Sequence, residues 1–111
     1  MANSSTPLGQ AKELEARIQV LASSFDVDAL PGEQQKLLTL IRRQATDARL
    51  DVREYEYAET RLEQQQSGVA ARMRLEDLRK NILKASEHNL FGSVDVAQLS
   101  AQIEQLIEAA A

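Results

Sequence analysis

Apolar positions recur along this chain at helical spacing almost from its start. Ala11, Leu14, Ile18, Leu21 and Phe25 follow one another at three and four residues, the period of one helix face. Thr6 and Pro7 just before them stand as an N-cap and a first-turn proline. A first helix over about residues 7–24 is predicted, with Lys12, Glu13, Glu15 and Arg17 on its solvated side. Residues 1–6 are small and polar and read as a flexible N-terminal tail ahead of a single helical domain over 7–111. The pattern breaks at Asp26–Gly32. The Asp-x-Asp start of this segment suggests a calcium loop, but Leu30 and Pro31 occupy the positions where such a loop needs an oxygen ligand and a glycine. An interhelical connection is expected instead, with Pro31 opening the next helix.

The second helical pattern is long. Leu38, Ile41, Ala45, Ala48, Val52 and Tyr55, then Glu59, Leu62, Gln66, Val69 and Met73, keep a heptad spacing. Its middle is thin, because alanines bury little area and Glu59 and Gln66 place polar atoms on the seam. Polar seam residues can set register or partner at a cost in stability. After Met73 the phase shifts to Ala71, Leu75, Leu78, Ile82 and Ala85. Ser67-Gly68 lies at the shift, and glycine inside a helix costs about 1 kcal/mol relative to alanine. Two outcomes are open: a break or kink at 66–68, or one unbroken helix over 31–87, roughly 85 Å long at 1.5 Å per residue. The rod would need a partner chain to cover its seam; the break permits a self-contained bundle.

His88 to Gly92 ends this stretch. Asn89 and Gly92 both suit a left-handed backbone, Leu90 and Phe91 are expected to tuck under the bundle, and His88 fits a helix C-terminus. Asp95 and Gln98 stand in capping-box spacing, and Val94 and Leu99 in staple spacing. A last helix is predicted with Val96, Leu99, Ile103, Leu106 and Ala110 on one stripe.

Composition changes this picture mainly by exclusion. The 111 residues suit one domain. With aromatics at 4%, the core must be aliphatic. The net charge of −4 argues against wrapping nucleic acid. Cysteine is absent, which excludes disulfides, thiolate catalysis and cysteine-ligated metals. Met1–Pro7 has no secretory pattern, residue 2 is not the glycine that myristoylation needs, and no apolar run is long enough to span a bilayer. A soluble, cytoplasmic protein is expected, with no membrane association.

The candidate chemistry is sparse. One histidine, no phosphate-binding glycine loop and no nucleophile elbow leave no catalytic constellation. Glu54, Glu56, Glu59 and Glu63 cluster in sequence, but the Glu-x-x-His pairs of carboxylate metal bundles are missing. No metal, no cofactor and no small-molecule substrate are expected. Arg72, Arg74, Arg79, Lys80 and Lys84 form a basic stretch. They carry the alternative reading, a nucleic-acid-associated regulator, although no aromatic stacking residue lies in 58–90. Pairing with acidic helices accounts for them more simply.

These features predict an all-α fold, a three- or four-helix antiparallel bundle with a long central helix, completed by dimerisation if the seam exceeds what the chain can cover. The function expected is non-enzymatic: an adaptor, regulator or small chaperone-like module binding a protein partner, foremost itself as a homodimer. The contact residues expected are Ala45, Ala48, Val52, Tyr55, Tyr57, Glu59 and Leu62.

Overall fold

The computed structural model describes residues 6–111. It is an all-α bundle of four helices: α1 (Pro7–Ser23), α2 (Gly32–Glu56), α3 (Arg61–Glu87) and α4 (Ser93–Ala109). No strand occurs among the described residues. A single 3₁₀ turn, Val27–Ala29, lies in the α1–α2 connection.

Consecutive helices pack side by side, and α4 closes against α1. Every neighbouring pair is antiparallel, as the polar contacts between them show. Arg42 of α2 donates to Gln19 of α1, while Arg49, further along α2, reaches back to Glu15. Asn81 donates to Gln44, and Arg74 pairs with Asp51. Arg79 pairs with Glu104 while Arg72 reaches the Ala110 carbonyl, and Arg17 donates to Gln98 while Gln10 shares a cleft with Gln102 and Gln105. Oppositely charged side chains thus pair between helices within the chain.

The core is one cluster of aliphatic side chains. Ile18, Ile41, Leu75, Leu78, Ile82, Leu99, Ile103 and Leu106 are fully buried. The stripes expected on α1, on the second half of α3 and on α4 all face it. Phe25 and Phe91 meet edge to face, centroids 6.3 Å apart, and close one end of the bundle.

The helix ends follow local chemistry. The Thr6 hydroxyl accepts from the Gly9 amide at 3.0 Å, and Pro7 fills the first position of α1. The rest of the expected tail lies outside the described residues. At the end of α3, Asn89 takes φ 59°. The Leu90 amide then bonds the Ala85 carbonyl and the Asn89 amide that of Ser86, the paired closure of a Schellman cap. His88 is the C-cap, and Leu90 and Phe91 are buried. Gly92 does not adopt a left-handed backbone; it is the N-cap of α4.

Three sequence expectations need correction. The chain neither breaks at 66–68 nor runs unbroken to 87. It reverses at Tyr57–Thr60, where the Thr60 hydroxyl accepts from the Glu63 amide at 3.1 Å and the Glu63 carboxylate accepts from the Glu59 amide at 3.3 Å. That reciprocal arrangement is a capping box in all but the residue that donates back. Gly68 lies inside α3, facing the core. A Cβ there would stand 2.8 Å from the Ala110 carbonyl oxygen and 3.2 Å from the Tyr55 ring, so the glycine serves close approach of α2, α3 and α4, not a turn. Finally, α4 begins at Ser93, ahead of the expected Asp95 cap. Asp95 falls in the first turn, where its charge suits the helix dipole. Val94 is exposed and staples nothing.

Candidate interaction surface

The reversal at 57–60 redistributes the expected contact residues. Ala45, Ala48 and Val52 are buried in the core, at most 2% exposed, because α3 folds back over them. The expectation that they form an open seam is therefore corrected: this part of the seam is covered by the chain itself. Tyr55 is half-buried; its hydroxyl donates to the Ala109 carbonyl at 3.3 Å and its ring lies beside Gly68. Glu59 lies in the turn and not on a helical seam. Tyr57 and Leu62 do face solvent, 67% and 63% exposed.

Leu62 does not stand alone. Gln66, Val69 and Met73 follow it at spacings of four, three and four, so they share its side of α3. Val69 and Met73 are exposed as well. This stripe lies opposite the Ala71, Leu75, Leu78 and Ile82 stripe that faces the core. The neighbouring helix repeats the arrangement, with Leu40 and Leu50 along the outer side of α2 and Tyr57 at its C-cap. Among the described residues, seven of the nine exposed large apolar side chains belong to the α2–α3 hairpin, against Val20 on α1 and Val94 on α4. Single surface hydrophobics are ordinary, but a face that collects them marks a contact site.

Between the two helices, near their connection, an open groove of about 610 Å³ is lined by Leu50, Arg53, Glu54, Tyr57, Glu63 and Gln66, among others. Its walls are mixed polar and apolar. Among the described residues no group of three or more His, Cys, Asp or Glu side chains is placed to hold a metal ion, and no helix is long and apolar enough to cross a membrane.

The basic stretch divides. Arg72 donates to the Ala110 carbonyl at 2.6 Å, Arg74 pairs with Asp47 and Asp51, and Arg79 pairs with Glu76 and Glu104. These three arginines hold α3 to its neighbours. Lys80 and Lys84 remain exposed on α3, outside any of the ion pairs seen among the described residues.

Val69, Met73, Leu40 and Leu50 were not among the contact residues expected from sequence. The signal for the first two was present: Thr-x-x-Glu at 60–63 is a helix start, and a helix starting there points 62, 69 and 73 away from the core stripe at 71, 75 and 78. Comparison with protein-family models, curated proteins and solved structures returned no match.

Proposed function

We propose that this chain is a non-enzymatic helical interaction module of the cytoplasm, an adaptor, regulator or small chaperone-like protein that binds a protein partner through the outer face of the α2–α3 hairpin. One observation carries the reading: exposed apolar side chains gather on that face while the outer sides of α1 and α4 carry one each. Burying such a stripe contributes roughly 25 cal/mol per Å² removed from water, and the polar groups around it supply specificity.

The test is site-specific photo-crosslinking in cells that produce the chain. A photoreactive side chain at Met73 is expected to give protein adducts well above those from the same group at Val20, which is equally exposed but lies on α1. Equal yields at the two positions would remove the reading.

A further inference from the structure

We propose that the occupant of the α2–α3 face is a second copy of this chain, inverted so that α3 of each copy runs antiparallel to α3 of the other. The inference rests on the reading above and names the partner. Its basis is the way charge is laid out along the face.

The contacts between α2 and α3 fix their relative levels. Gln44 stands beside Asn81 at one end, and the Tyr55 ring beside Gly68 at the other. Lys36 and Arg43 of α2 therefore share an end with Lys80 and Lys84 of α3. Glu54 shares the opposite end with Glu59 and Glu63, and Glu54 and Glu63 line the same groove. None of these seven groups enters an ion pair within the chain among the described residues. Arg53 and Arg61 stand among the acidic group, and Glu33, Asp77 and Glu87 near the basic one, so the face carries a net basic end, a net acidic end and apolar side chains between and among them.

Such a face is complementary to itself in only one sense. A two-fold axis running along the helices would set basic end on basic end. An axis lying in the plane of the face and at right angles to the helices sets basic end on acidic end in both halves at once, the isologous arrangement of a closed dimer. Lys84 then approaches Glu63 of the partner subunit, and Met73, midway between positions 62 and 84, falls near the axis. The extent of the face suits this. Two helices of about 40 Å lying side by side about 10 Å apart offer on the order of 800 Å² per copy, the size of a standard interface. Charge registers the pair; the apolar stripe supplies the affinity.

Because the chain has no cysteine, single-cysteine variants report on the arrangement without background. Leu62→Cys and Lys84→Cys are both at exposed positions. In the inverted dimer, two copies of either variant alone hold their thiols roughly 30 Å apart, from the rise along α3, whereas a mixture of the two brings unlike thiols together. Treatment with a short bis-maleimide is expected to give crosslinked dimer from the mixture and at least ten-fold less from either variant alone. Adding Met73→Glu to both chains, which sets two carboxylates at the axis, is expected to abolish the product. Crosslinking of a single variant as efficient as that of the mixture overturns the inverted arrangement, and no product from any combination overturns the homotypic interface. Photo-adducts at Met73 that contain only other proteins would likewise remove this inference while leaving the interaction module standing.

Discussion

Gly68 is the residue where helix propensity and packing pull in opposite directions. Alanine would favour the helix by about 1 kcal/mol, but its Cβ would meet the Ala110 carbonyl at 2.8 Å and the Tyr55 ring at 3.2 Å. Overpacking of this kind costs about 1–3 kcal/mol. Gly68→Ala is therefore expected to lower stability in urea or thermal unfolding. Gly32→Ala, at the start of α2 where an added Cβ would meet nothing within 4 Å, is expected to be neutral or slightly stabilising. The reverse order would mean that α4 does not approach α3 as closely as described. From sequence Gly68 is legible only as an anomaly, because the atoms that require it come from residues 55 and 110, distant in the chain and near in the fold.

At the scale of elements, most of the architecture is written in local signals. α1 is legible from Thr6-Pro7 and its stripe, the core side of α3 from Leu75, Leu78 and Ile82, and α4 from Val96 to Ala110. The boundary between α2 and α3 escaped because heptad spacing continues straight through it. Tyr55, Glu59 and Leu62 keep step by coincidence, while the chain reverses between them. What decides the matter is the bonding at Thr60 and Glu63, which satisfies amides that an uninterrupted helix would have paired internally. Thr60→Ala removes that hydroxyl and is expected to cost about 1 kcal/mol of stability. Thr60→Ser should restore most of it in the same unfolding measurement. Equal stability of all three proteins would mean that the reversal owes nothing to the cap. The candidate site inherited the same error. With the turn misplaced, Ala45, Ala48 and Val52 read as open seam, and the outward stripe was represented by Leu62 alone.

For the whole molecule, four antiparallel helices enclose an aliphatic core among the described residues. The proposed interface lies on the outer side of that core, on the α2–α3 hairpin. The electrostatics follow the same division: arginines at 72, 74 and 79 join helices to one another, whereas the lysines at 80 and 84 look outward with Lys36 and Arg43. Four such charges on a chain of net charge −4 make a weak phosphate-binding surface. Titration with duplex DNA and RNA is expected to show slight binding at low salt at most, and none at physiological salt. Tight binding with a steep salt dependence would revive the nucleic-acid reading, since log affinity falls with log salt in proportion to the phosphates contacted.

The two helix ends that meet near the connection between α2 and α3 are held very differently. Residues 61–66 of α3 are all exposed; beyond the α2–α3 groove and the cleft that Gln64 and Gln65 line with Ala110 and Ala111, their hold is the Thr60 cap. The last carbonyls of α4 instead accept from the Arg72 guanidinium and the Tyr55 hydroxyl, which supply the positive charge that the final turn of α4 lacks. Local opening should therefore be lopsided. In amide hydrogen exchange the start of α3 is expected to lose protection first, and the final turn of α4, although a helix end, should exchange with its interior.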